Sequence, residues 1–316
     1  MSEPLGRKDV CAILVTYHPE PDLPRRLGAI AQQVGAIVIV DNGSADAAVT
    51  VLRECAADPA VSLVLNSENL GIAGALNMGI QHAAARGYLW ALLLDQDSRV
   101  EADMVATLCA VHEDFRDRGQ LAIIGSNFWE KHRDVPRAHR FDSCGAQWDE
   151  VEVVITTGSL LSLVAFADIG FFREEFFIDY VDTEYCLRAR AKGYRVLKTR
   201  RPLMSHSIGA PTQHRLLWMQ KWTSNHSADR RYYSARNHTV MLRERRKYPF
   251  GSWALVGFFG CFKAWKRIAL YERPKGSKMA GVFLGWWDGV RGKMGPRTKQ
   301  QPRPVRRSGA PTERVR

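Results

Sequence analysis

The stretch "LLLDQDS", residues 92–98, sets two carboxylates, Asp95 and Asp97, at the end of an apolar run. Like charges so close repel and raise each other's pKa, so the pair calls for a cation between or beside it. An acidic turn after a buried strand satisfies the same residues, and this stretch alone leaves both readings open. A second acidic cluster, "FFIDYVDTEYCLRARAKGY", holds Asp179, Asp182 and Glu184 ahead of Arg188. A charged helix N-terminus favoured by the macrodipole explains Glu184 better than it explains Asp182.

The elements that must position these groups read from the apolar pattern. "VCAILVTYH", "AIVIVDNGS", "VSLVLN" and "LWALLLD" are apolar runs of strand length. "DLPRRLGAIAQQV", "DAAVTVLRECAA" and "GIAGALNMGIQHAAARG" between them read as helices, the second capped by Ser44 or Asp46. Strands that are apolar throughout and alternate with helices predict a parallel sheet covered on both faces, an α/β class. Ligands of such sheets bind beyond the carboxyl ends of the strands. Four polar clusters fall there: Thr16-Tyr17, the "DNGS" turn from Asp41, residues 66–71, and Asp95-Gln96-Asp97. Their convergence on one edge points to a nucleotide site.

Composition adds bounds. The 316 residues are 46% hydrophobic, enough to bury a large core. Net charge is +12, but residues 1–184 carry 14 Lys/Arg against 28 Asp/Glu and residues 185–316 carry 31 against 5. A basic back half of this kind seeks polyanions such as phosphates, anionic lipid or nucleic acid. The six cysteines are scattered with no CxxC, which fits a reducing cytosol. The N-terminus lacks a signal-peptide pattern, and the longest apolar run, from Trp253 to Phe262, is too short to cross a bilayer.

"ILVTYHP…IVIVDNGS…NLGIAGALNMGI…LLLDQDS" resembles inverting family 2 glycosyltransferases of the GT-A fold, and the resemblance runs from residue 10 to about 295. The Asp-Gln-Asp form, "FFIDYVDTEYCLR", "SHSIG" and "RRYYSARNHTVMLR" look most like bacterial rhamnosyltransferases that use dTDP-L-rhamnose. The resemblance implies a Rossmann-like, mostly parallel sheet with helices on both faces, and a divalent cofactor, Mg²⁺ or Mn²⁺, that neutralises the leaving diphosphate. It assigns Asp97 and His206 to the metal and Asp95 to the nucleoside sugar. Gln96, Thr16, Tyr17, Asn69, Gly71 and Asn77 fall on the donor side. Asp41 could accept the imide N–H of thymine or uracil, or merely open a type I turn. Asp182 aligns with the catalytic base; Val181 stands where the family has Glu, and Asp179 supplies an extra acid, so the two compete for the role. Gly158 and Ser159 resemble the acceptor-side wall, with Asp179 and Glu184 beside it. Arg231, Tyr232, Tyr233, Arg236 and Asn237 could clamp a diphosphate or pack an amphipathic helix.

Residues 1–247 are accordingly expected to form the glycosyltransferase domain, 248–295 an amphipathic helical region and 296–316 a disordered basic tail. Trp253, Phe258, Phe259, Trp265, Trp286 and Trp287 beside Lys263, Lys266, Arg267, Lys275 and Lys278 have the composition of helices lying in a membrane interface. A helical hairpin closing the core or a dimer contact would share the apolar content, and the oligomeric state stays open. The expected reaction is transfer of L-rhamnose to a lipid-linked saccharide at the cytoplasmic face of the inner membrane, in surface polysaccharide assembly. The alternatives are a UDP-hexose or UDP-galactofuranose donor, or a non-catalytic sugar-nucleotide or nucleic-acid binder. The intact Asp95, Asp97, Asp182 and His206 oppose non-catalytic binding, and the lack of a nucleic-acid motif opposes nucleic acid as a partner.

Overall fold

The computed structural model describes residues 3–130, 135–136, 147–206, 212–216, 219–249 and 251–297. The expected tail from residue 298 and residues 207–209 of "SHSIG" lie outside the described residues.

The front half alternates as the apolar pattern predicts. Strands β1 (Val10–Thr16), β2 (Ala36–Asp41), β3 (Val61–Leu65) and β4 (Trp90–Asp95) are separated by helices α1 (Leu23–Ala31), α2 (Asp46–Cys55) and α3 (Gly71–Ala85). They pair in parallel in the order β3-β2-β1-β4. β1 is buried along its whole length, because successive side chains feed two different cores. Cys11, Ile13 and Val15 pack with α3, whereas Val10, Ala12 and Leu14 pack with α1. Helix α2 is not side-chain capped: its N-cap is Ala45, and the Ser44 hydroxyl instead donates to Asp41.

Beyond β4 the sheet changes character. β5 (Arg99–Val100), α4 (Met104–Asp114), β6 (Leu121–Glu130), β7 (Val135–Pro136), β8 (Trp148–Glu150), β9 (Ser159–Ser162), α5 (Leu163–Ile169), α6 (Val181–Ala191) and β10 (Arg195–His206) follow in the chain. β9 inserts antiparallel between β4 and β6, and β10 runs parallel to β6. The antiparallel pairings thus lie outside the strand–helix repeat from which the parallel sheet was read. A separate ribbon, β11 (Thr212–Leu216) and β12 (Met219–Thr223), precedes α7 (Ala228–Arg243), α8 (Ser252–Leu270) and α9 (Lys275–Arg291).

Helix α9 lies along α7 on a stripe of glycines four residues apart. A Cβ at Gly281, Gly285 or Gly289 would come within 2.5, 2.1 or 2.7 Å of α7, the nearest atoms at the first two being the backbone oxygens of Ala228 and Tyr232. Small residues at this spacing let two helix backbones approach closely. The opposite side of α9 exposes Phe283, Trp286, Trp287 and Val290, and α8 exposes Leu255, Phe259, Phe262 and Trp265. Two residues of the expected interfacial set are not on this surface. Trp253 is buried edge-on against Tyr248, and Lys278 is buried in an ion pair with Glu272. The side chain of Phe258 lies outside the described residues. No helix among the described residues is long and apolar enough to cross a membrane.

Candidate active site

A cleft with a cavity volume of ≈ 520 Å³ opens at the carboxyl ends of β1 and β4. Its rim beside β1 and β2 is built by hydrogen bonds between segments distant in the chain. The Gln96 amide accepts from the Tyr17 N–H (2.7 Å) and donates to the Tyr17 carbonyl (3.2 Å), tying the end of β4 to the end of β1. Asn42 donates to Asn69 Oδ1 and to the Gly71 carbonyl, each at 3.0 Å, and accepts from the Leu70 N–H at 2.9 Å. These bonds fix the entry to α3. Gly71 has φ +79°, and a Cβ there would sit 2.5 Å from the Phe177 carbonyl oxygen, so no other residue fits without displacing that turn.

Asp41 is 1% exposed and does not line the cleft. Its Oδ1 accepts from Thr16 Oγ1 (2.9 Å) and Ser44 Oγ (2.6 Å), and its Oδ2 from the Ser44 N–H (2.8 Å). The carboxylate thereby organises the floor, while Thr16, Tyr17, Asn42, Asn69 and Gly71 present the surface.

At the end of β4, Asp95 and Asp97 meet His206 from β10. One ligand atom from each of the three lies within 4.8 Å of the others. Imidazole Nε2 is 4.0 Å from Asp95 Oδ2, and Nδ1 is 3.6 Å from Asp97 Oδ1. Nδ1 is buried without a hydrogen-bond partner, an orphan that an ion would satisfy. Two carboxylates and one imidazole form a donor set suited to Mn²⁺ or Mg²⁺. Burial raises the Asp95 carboxyl above its usual range, with His206 opposing and Asp97 reinforcing the rise. At His206 burial works against the charged ring, but the carboxylates of Asp97 and Asp95 outweigh it and the pKa rises.

Across the cleft stands Asp182, in the first turn of α6. Burial is the main cause that pushes its carboxyl up to about 6; the Thr183 N–H, donating to Oδ1 at 2.7 Å, opposes this, and the charge of Asp179 adds to it. Asp179 lines the same cleft and pairs with Arg230, whose Nη2 lies 3.0 Å from Oδ1. Thr157 completes the wall, its hydroxyl accepting from the Asp95 N–H at 3.0 Å.

Several residues singled out in the sequence stand elsewhere. Asn77 fastens α3 to the segment before α6: its amide donates to Phe172 O and Glu174 Oε1 at 2.9 Å each. Glu184, 2% exposed, receives both Nε and Nη2 of Arg188. Ser159 is fully buried and donates to the Ile155 carbonyl, and Gly158 packs on Met204; residues 155–157 just upstream line the cleft instead. Arg231 turns away to Glu272 (2.7 Å), and its neighbour Arg230 faces the cleft. Successive helical residues differ by about 100°, so "RRYY" alone does not say which arginine faces inward. The signal lies upstream, where Ser227 caps α7 by accepting from the Arg230 N–H and so sets the phase of the helix.

Residues 11–168 match the family model described as Glycosyl transferase family 2. The dTDP-rhamnosyl transferase RfbF of Shigella flexneri is 29% identical over 253 residues, covering 75% of this chain and 80% of its own. The galactofuranosyltransferase GlfT1 of Mycobacterium tuberculosis is 33% identical over 114 residues, 34% of this chain and 37% of its own. The solved mannosyltransferase PcManGT of Pyrobaculum calidifontis, in complex with GDP-Man and Mn²⁺, superposes with a TM-score of 0.57 at 14% identity, covering 92% of this chain and 90% of its own.

Proposed function

The chain belongs to glycosyl transferase family 2, and from that premise we propose that it transfers L-rhamnose from dTDP-L-rhamnose, with inversion, to a lipid-linked saccharide. The observation that carries this reading is that Asp95, Asp97 and His206 share one cleft with Asp182. The similarity to RfbF supports the donor. Asp97 and His206, with Asp95 beside them, are the groups that would hold Mg²⁺ or Mn²⁺. A divalent ion there supplies positive charge to the departing nucleoside diphosphate.

The chain's own residues do the rest. Asp182 takes the proton from the acceptor hydroxyl as its oxygen attacks the anomeric carbon on the face opposite the diphosphate. The C1–O bond to the diphosphate breaks as the new glycosidic bond forms, and the proton remains on the Asp182 carboxyl. Arg230, held by Asp179, adds positive charge on the same side of the cleft. Residues 1–247 form the catalytic unit in this reading.

Residues 248–295 seat it on the anionic inner face of the membrane. The exposed aromatics of α8 and α9 stand beside exposed Lys263, Lys266, Lys275 and Arg291, an arrangement suited to headgroups. Phe262→Glu and Trp286→Glu are expected to reduce flotation with anionic vesicles without lowering the melting temperature; equal flotation rejects this seat.

The donor is tested by offering purified protein a panel of dTDP- and UDP-sugars with Mn²⁺ and following nucleotide release. Preference for dTDP-L-rhamnose, lost in a chelator, is the expected result. Preference for UDP-galactofuranose would favour the second reading, which rests on the similarity to GlfT1.

A further inference from the structure

The segment that carries Asp179 into α6 is held in a conformation its own sequence disfavours. Phe177, Asp179 and Tyr180 have positive φ of 65°, 63° and 64°, and none is glycine; Tyr180 is left-handed, whereas Phe177, with ψ −63°, takes the rare conformation of a γ-turn closed by the Ile178 N–H donating to the Phe176 carbonyl. Bulky residues at positive φ are genuine outliers that persist only when their surroundings over-determine them.

The over-determination comes from α7. Asn237 is fully buried, and its Nδ2 donates to the carbonyls of Phe176 (2.9 Å), Ile178 (2.9 Å) and Asp179 (2.8 Å). An amide nitrogen carries only two hydrogens, so one of them is shared between two of the three carbonyls and neither is left for another partner. Its orientation is fixed from behind, where Arg236 Nε donates to Asn237 Oδ1 at 3.0 Å. Arg236 is itself buried, and its guanidinium donates to the carbonyls of Glu175, Phe176 and Gly295. Tyr233 stacks on the Phe177 ring at 4.9 Å, and Arg230 pairs with Asp179. Positions 230, 233 and 237 share one helix face, so a single stripe of α7 grips the turn. From the other side the Ile72 N–H donates to the Phe177 carbonyl at 2.7 Å.

We propose that Asn237 and Arg236 are positioning residues for the base, holding the turn over residues 176–180 so that Asp179 and Asp182 face the acceptor side of the cleft. The proposal rests on the reading of Asp182 as the base. It removes Arg236 and Asn237 from the diphosphate clamp that their sequence allowed, since both are buried in the turn's hydrogen bonds.

Asn237→Asp keeps the shape of the side chain and abolishes its donors; Asn237→Ala removes both. Arg236→Lys keeps a charge and loses the fork. For each variant four quantities are measured: dTDP affinity in Mn²⁺, kcat and KM for the donor, melting temperature, and amide exchange by segment. The Asn237 variants should bind dTDP as wild type does and keep KM for the donor, while kcat falls by about 10²-fold, the cost of a misplaced reacting group. Amide exchange over residues 176–182 should quicken by about tenfold or more while that of β1, β2 and β4 is unchanged. Arg236→Lys should show the same pattern with a smaller loss. Unchanged exchange over residues 176–182, unchanged kcat, or exchange that quickens throughout the domain would each overturn the proposal. If wild-type protein turns over no nucleotide sugar, the transferase reading fails by itself, and the exchange measurement still decides whether this pair holds the turn.

Discussion

The cleft contains two pairs of carboxylates placed by opposite means. Asp95 and Asp97 stand where a fully apolar strand ends, and the change from Leu94 to Asp95 is itself what brings the chain to the surface. Asp179 stands on a turn of non-glycine residues with positive φ that leads into α6 and Asp182; the turn is held by Asn237 and Arg236 and given room by Gly71, all from distant parts of the chain. The first pair therefore inherits the rigidity of the sheet, whereas the second depends on side-chain hydrogen bonds. Substitutions should separate the two, since damage to the first disables donor and metal and damage to the second disables only transfer.

The largest loss is expected at the strand end. Asp97→Ala should abolish metal-dependent turnover and raise the Mn²⁺ concentration needed to retain dTDP, and a chelator should do the same to wild type. Full turnover in a chelator would break the comparison at its first term. Asp182→Asn keeps the shape of the second pair but cannot accept a proton. Donor binding should survive while kcat falls by about 10²–10⁴-fold. If Asp179→Asn is the severe variant and Asp182→Asn the mild one, the base is Asp179.

The same contrast explains what the sequence made legible. The parallel strands and their carboxyl-end clusters follow from the apolar runs, and the meeting of Asp95, Asp97 and His206 was implied by the family resemblance. Local pattern is sufficient for the strands because the pleat and the sheet edge leave few choices. Asn77 and Glu184 fall within the family's motifs and Arg231 reads as a phosphate ligand from its type, yet each is turned to a structural partner. For Asn77 and Arg231 this is decided by helix phase and by partners 97 and 41 residues away. Glu184 shows the exception in detail: its partner Arg188 is local, but the carbonyls of Ile169 and Gly170 that hold that arginine are not. The Gly281, Gly285, Gly289 spacing was visible in the sequence and marks the α7–α9 contact, a signal obscured by the surrounding tryptophans.

A moderate effect tests the join between the two halves. Gly71 lines the cleft at the start of α3, yet it also leaves room for the Phe177 carbonyl of the turn. Gly71→Ala puts a Cβ at a positive φ and against that oxygen, so it should lower stability by about 1–3 kcal/mol, seen as a fall in melting temperature. It should also reduce kcat, because relief requires the turn to move. A Gly71→Ala protein as stable and active as wild type would show that the turn is not held from this side.

The smallest effect is a shift in pH dependence, and it discriminates the pairs without removing either. A base works only when ionised, so at saturating Mn²⁺ kcat should fall as pH drops through about 6, the value to which burial first, and Asp179 second, raise Asp182 against the opposing Thr183 N–H. Asp179→Asn removes a like charge and releases Arg230 from its ion pair, and both changes favour the Asp182 carboxylate. The acid limb should therefore move to lower pH, by less than about one unit. The strand-end pair titrates differently. His206 has a raised pKa because Asp97 and Asp95 outweigh its burial, and its protonated ring cannot bind metal, so acid weakens metal binding. At low Mn²⁺ the limb should follow metal concentration, and at saturation it should stop moving and report Asp182. A limb that moves with Mn²⁺ at every concentration, or is unchanged by Asp179→Asn, would assign the acid loss to the strand-end pair and leave the turn without a titrating base.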